Sequence, residues 1–201
     1  MTARGAPVPG RGRTPSQDVS QALVDAAEVV LVRDGPSAVT VRAVAAEASV
    51  APMGVYNHFG GKEGLVDALL VRGFDGLRAA VAPRGGQDPL EELRASGIRY
   101  REFALANPHH YAVMFEGAIP REGDSPLVQE HAGAAFGELV GIVQMTMTAG
   151  LIRPGEPQEL AQQIWSTVHG AVALELKGLI LTPDPVATYR ALLDLVLRGL
   201  T

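Results

Sequence analysis

Residues 49–65, SVAPMGVYNHFGGKEGL, place Tyr56, Asn57, His58 and Phe59 in one run, followed by two glycines and Lys62. Tyr56 and His58 can hydrogen-bond phosphate oxygens. Lys62 puts a cation at the start of a new helical pattern, where free backbone N–H groups also attract anions. Thr40, some way upstream, supplies a hydroxyl at another helix start. Asn57 can read an adenine edge or bind a phosphate. Gly54 removes a side chain where backbone and a nucleic acid would approach closely. Together these groups suit a polyanion.

The overall charge of −5 does not oppose that reading, because the charge is unevenly spread. Residues 1–62 carry six basic side chains (Arg4, Arg11, Arg13, Arg33, Arg42, Lys62) against five acidic ones. Residues 63–201 carry the other 11 basic and 17 acidic groups. Distribution, not the total, decides whether a polyanion is accepted.

The elements that must hold these groups are helical. Residues 1–17, rich in Pro, Gly and Arg, read as a flexible arm, with Arg4, Arg11 and Arg13 available to follow a minor groove. From Asp18 the residues Leu23, Val24, Ala27, Val30 and Leu31 form one apolar stripe, ended by Gly35-Pro36. Thr40 is predicted to cap a two-turn helix carrying Val41, Val44, Ala45 and Ala48. Pro52 opens another short helix ending near Phe59–Gly60, and Lys62 opens a long one with Leu65, Val66, Leu69, Leu70 and Phe74 inward.

Two short helices joined by ASVA form a helix-turn-helix, whose second helix enters the major groove. Its outward face would be Pro52, Met53, Gly54, Tyr56, Asn57 and His58, with Val55 and Phe59 pointing into a small core. Beyond residues 83–89, five more helices are expected over 90–106, 108–116, 125–149, 157–181 and 184–200. Period-2 alternation is nowhere sustained. The expectation is an all-α chain of about nine helices, with a helix-turn-helix domain at 18–64 and a second helical domain at 65–201.

The run TVRAVAAEASVAPMGVYNHFGGKEGLVDALL resembles the DNA-binding domain of the TetR family of bacterial transcriptional regulators. The resemblance covers residues 19–72 or so and is carried most specifically by YNHFGGKEGL. It implies a homodimer in which the third helix reads DNA, with Thr40, Arg42, Tyr56, His58 and Lys62 at positions that touch it. Val41, Pro52, Met53, Gly54 and Asn57 complete the expected DNA-facing set. Two departures stand out. Ser49 replaces a frequent turn glycine, and Ala51 replaces a frequent capping serine, a loss worth ~1 kcal/mol.

Farther on, NPHHYAVMF (107–115) and IWSTVHGAVALEL (164–176) resemble the TetR C-terminal domain type with a Trp-His-Gly signature, here Trp165, His169 and Gly170. That resemblance implies a helical ligand-binding and dimerisation domain. Trp165 and His169 share one helix face. They are either a buried tryptophan beside a hydrogen-bonded core histidine, or part of an effector cavity with Phe103, Tyr111, Met114, Phe115, Phe136 and Met145. Apolar stripes in the last two helices suggest a four-helix interface between two copies, using Leu174, Tyr189, Leu192, Leu193 and Val196.

Other functions are disfavoured. The chain has no cysteine, so no disulfide, thiolate metal site or cysteine nucleophile exists. GxSxG and HExxH are absent. His109 and His110 point about 100° apart on a helix, a poor metal pair. No cofactor is expected. No apolar run reaches the roughly 20 residues that span a bilayer, and the N-terminal stretch lacks a signal-peptide core. The expectation is a cytoplasmic repressor that binds an inverted-repeat operator in double-stranded DNA and is released by a small-molecule effector. The alternatives are a ligand-binding helical protein without DNA binding, and a helical enzyme using His169.

Overall fold

The computed structural model describes residues 16–201 except Gln87, residues 120–122 and Asp124. The arginines of the N-terminal arm lie outside the described residues. Among those described, secondary structure is entirely helical: α1 (Ser16–Asp34), α2 (Val41–Glu47), α3 (Pro52–Phe59), α4 (Lys62–Val81), α5 (Pro89–Ala106), α6 (Pro108–Phe115), α7 (Pro126–Thr148), α8 (Pro157–Leu176) and α9 (Pro185–Leu200). One 3-10 turn links α1 to α2. None of these helices is long and apolar enough to cross a membrane.

Six helices begin with proline, where its missing N–H leaves no hydrogen bond unmade. Asp88, Ser125 and Asp184 cap α5, α7 and α9 by accepting from backbone N–H groups of the first turn. Helix α8 stops at Leu176, five residues short of the expected end. Gly178 turns left-handed there (φ 67°), and the Leu179 N–H folds back onto the Leu174 carbonyl at 2.9 Å.

Helices α1 to α4 surround a small core of Leu23, Leu31, Val44, Val55, Leu65 and Val66, all at most 1% exposed. The expected domain boundary at 64/65 falls inside α4, which runs on to pack against α5, α6 and α7. The far end of α4 is held by a buried polar device on α5. Arg99 donates to the carbonyls of Ala80, Val81 and Ala82 and pairs with Glu92 at 2.5 Å, while the Ser96 hydroxyl donates to Val81. These bonds satisfy carbonyls that a helix end leaves open.

Two residues expected at a subunit interface are instead core. Tyr189 and Leu193 are each 4% exposed within the single chain. The Tyr189 hydroxyl donates to the Gly97 carbonyl at 2.8 Å. Leu193 sits so tightly over Gly97 that a Cβ there would lie 2.8 Å from it. Gly97 therefore lets α9 settle onto α5, which turns that stripe of α9 inward. Leu192 and Val196 are half-buried, and Leu174 remains exposed. Glu175 is largely covered and pairs with Arg101.

Candidate DNA-recognition surface and C-terminal cavity

The helix-turn-helix is built as its residues demand. Thr40 caps α2, its hydroxyl oxygen accepting from the Ala43 N–H at 3.2 Å. That leaves the hydroxyl proton free for a phosphate oxygen. Helix α2 ends in a left-handed turn at Ser49 (φ 55°). The Ser49 N–H bonds the Ala46 carbonyl and the Val50 N–H bonds the Ala45 carbonyl. This is the paired closure in which a left-handed residue usually is glycine. Ala51 then precedes α3 with no side-chain cap.

Val55 is fully buried and Phe59 packs partly against the core, which turns the opposite side of α3 outward. Pro52, Met53, Tyr56 and Asn57 are exposed there, and His58 is half-buried. Thr40, Val41, Arg42, Pro52 and Tyr56 line one shallow concavity between the starts of α2 and α3. Lys62 is exposed at the first turn of α4, which has no side-chain cap. Among the described residues Arg42 and Lys62 have no carboxylate partner, whereas Arg33 is tied to Asp34 and Glu47.

Gly54, expected where backbone and a nucleic acid would approach closely, has a packing role in the fold. A Cβ at that position would point inward, 2.6 Å from a methyl group of Val50. The glycine is needed to seat α3 against the turn.

A cavity of about 280 Å3 lies among α4 to α9. Met114, Phe115, Phe136 and Trp165 line it as expected. Tyr111 and His169 stand behind the wall, Tyr111 being 1% exposed. Phe103 packs against α4, where a Cβ on Gly76 would lie 3.3 Å from its ring. Met145 is 44% exposed on α7 and does not line the cavity. The aromatic pairs are close: ring centroids are 5.3 Å apart for Trp165–His169 and 5.0 Å for Phe115–His169.

Trp165 faces the cavity, and His169 is a hydrogen-bonded histidine beside it. The hydroxyls of Tyr100 and Tyr111 each lie 2.8 Å from His169 Nδ1. The Trp165 indole N–H donates to the Tyr100 oxygen at 3.4 Å. Burial pushes both phenols up and holds the imidazole below its usual range, partly opposed by the Glu116 carboxylate. The cluster is thus uncharged at neutral pH.

From α5 the sequence suggested Phe103, but Arg94, Ser96, Gly97 and Tyr100 of that helix line the cavity instead. The signal was present as the stripe Leu93, Ser96, Gly97, Tyr100, at helical spacing but interrupted by small and polar residues. Sequence reasoning also missed a tie between the cavity and the first helix of the helix-turn-helix domain. Arg72 of α4 binds Glu28 and Asp25 of α1, and His110 of α6 lies 3.8 Å from Glu28. Four residues on, Met114 reaches the cavity while sitting so tightly over Gly73 that a Cβ there would lie 2.8 Å from its sulfur.

Comparison with known proteins agrees with this geometry. A family model for bacterial regulatory proteins of the tetR family matches residues 23–69, and one for the tetracyclin repressor-like C-terminal domain matches 93–196. The chain belongs to the TetR family. It is accordingly a DNA-binding transcriptional regulator built from a helix-turn-helix and a helical C-terminal region.

An uncharacterised HTH-type transcriptional regulator of Mycobacterium tuberculosis is 27% identical over 186 residues, 92% of this chain and 81% of that one. A protein of unknown function from Rhodococcus sp. RHA1 superposes with a TM-score of 0.79 at 29% identity, covering 90% of this chain and 95% of that one. A tetR-family regulatory protein from Rhodococcus RHA1 shares the fold, with a TM-score of 0.66 at 21% identity over 90% and 96% of the chains.

Proposed function

We propose that this TetR-family chain acts as a homodimeric repressor. Each copy lays α3 into a major groove of an inverted-repeat operator, and a small molecule in the C-terminal cavity releases it. The observation that carries the reading is the exposed, unpaired set around the α2–α3 concavity. Thr40, Arg42, Tyr56 and Lys62 offer hydroxyls and cations to phosphates, and Asn57 and Met53 lie on the outer face of α3.

Two recognition helices engage successive grooves only when set roughly 34–36 Å apart. A ligand acts by favouring a conformation with another spacing, and only through its differential affinity for the two forms. Met114 and Phe115 at the cavity share α6 with His110, which faces Glu28 of α1. That shared helix is the proposed mechanical link.

The test is selection of bound duplexes from a random pool, with Tyr56→Ala/Lys62→Ala as control. The expected result is an inverted repeat, at least tenfold weaker binding by the double variant, and affinity that falls steeply with salt. No enrichment by ligand-free, refolded protein at low salt would sink the reading. So would equal enrichment by the double variant.

A further inference from the structure

The cavity has a narrower chemistry than that of a general small-molecule site. Resting on its reading as the effector site, we propose that it takes a neutral, compact compound of about two fused rings. That compound carries one hydrogen-bonding oxygen, and the cavity discriminates against the matching carboxylate.

Size comes first. An apolar cavity of about 150 Å3 is enough to hold benzene. The present one, at about 280 Å3, therefore holds roughly twice as much, a bicyclic compound rather than a long acyl chain. Its walls are mainly apolar, with Phe74, Leu77, Phe115, Phe136 and Val168 among them.

Charge comes second. Arg94 is the one charged residue lining the cavity among the described residues. Its guanidinium is already paired with Asp194 and lies 3.5 Å from Glu91. A ligand carboxylate would have to break that pair and would meet two carboxylates of the protein beside it. Desolvating an anion without a free partner is costly. A neutral ligand avoids this.

The polar groups come third. The Ser96 hydroxyl commits its proton to the Val81 carbonyl at 3.1 Å, and Ser96 is only 4% exposed. What remains on the wall is the corner formed by the Tyr100 hydroxyl and the Trp165 indole N–H, joined by a long 3.4 Å bond. Tyr100 and Tyr111 share His169 Nδ1, and with that nitrogen as the acceptor their protons point into the cluster rather than the cavity. A ligand oxygen at this corner would accept the indole N–H at a shorter distance, or donate to the Tyr100 oxygen. One directional contact is available there, so one oxygen is recognised.

The test uses the purified full-length protein, calorimetric titration without DNA, and three probes of equal ring size: naphthalene, 1-naphthol and 1-naphthoate. Decanoate is a fourth, linear probe. The expected order is 1-naphthol tightest, with 1-naphthoate and decanoate at least tenfold weaker. Tyr100→Phe is expected to weaken 1-naphthol about fivefold and leave naphthalene within twofold. Ala132→Phe, which fills the cavity from α7, is expected to abolish binding of all four while thermal unfolding shows it folded.

Tightest binding of 1-naphthoate or decanoate overturns the proposal. So does absence of any binding, or binding that survives Ala132→Phe. If 1-naphthol binds as expected but never alters operator affinity, the effector reading fails and the ligand class stands. Operator binding that responds only to an anionic ligand would do the reverse.

Discussion

At the residue scale, the turn between α2 and α3 carries a cost the fold tolerates. An L-residue in the left-handed region costs roughly 1–2 kcal/mol, and Ser49 occupies it at φ 55°. Glycine removes that cost but loses about 0.5–1 kcal/mol more backbone entropy on folding. Ser49→Gly is therefore expected to stabilise the protein by about 0.5–1 kcal/mol, raising the unfolding midpoint by about 1–4 °C. Operator affinity should not change, because Ser49 is outside the DNA-facing set. A lower midpoint in differential scanning calorimetry would contradict this account.

The same turn shows why one part of the site was legible and another was not. Thr40, Ser49, Tyr56 and Lys62 lie within one short stretch, so cap, turn and outward face follow from local spacing. The cavity is different. Tyr100 belongs to its wall because α5 crosses α8, and Leu193 faces inward because Gly97, far away in sequence, leaves room for it. Periodicity reveals which face of a helix is apolar, but not whether its own chain or a second copy covers that face.

At the element scale, that distinction relocates the proposed dimer surface. With Tyr189 and Leu193 buried, the uncovered apolar side chains of α8 and α9 are Leu174 (48% exposed), Val186 (43%) and Leu195 (61%). Gly170 on α8, and Ala187 and Ala191 on α9, are also exposed and small enough for close helix approach. Two copies related by a twofold axis would meet through these faces, each burying about 800 Å2 for a stable pair. Across such an axis each new charge sits near its own copy. Leu174→Arg/Leu195→Arg is therefore expected to weaken dimerisation at least a hundredfold while keeping native helicity. Leu193→Arg, by contrast, buries a charge in the core and should lose the fold. Sedimentation velocity with circular dichroism separates these outcomes. A dimer unaffected by the double arginine variant would place the interface elsewhere.

At the scale of the whole molecule, stability should fall on the acid side, through two histidines, His110 buried and His169 half-buried. His110 sits where α6 meets α1 and α4, with Glu28, Arg72 and His109 as its charged or titratable neighbours. His169 sits in the hydroxyl cluster behind the cavity, near Glu116 and Lys177. Burial is the largest cause that holds both imidazoles below their ordinary value. The unfolded chain, with histidines titrating near about 6.5, then binds more protons than the folded one as pH falls through that value. Folding free energy is unaffected by these two groups above about pH 7.5. It is lost progressively below about pH 6.5, until the folded-state values are reached. Urea midpoints should therefore be flat from pH 8 to 7 and fall from pH 6.5 to 5, ahead of most carboxylates. His110→Gln/His169→Asn removes both titrations and should flatten that interval, even if it lowers stability throughout. An unchanged slope in the double variant would show that other groups govern the acid side.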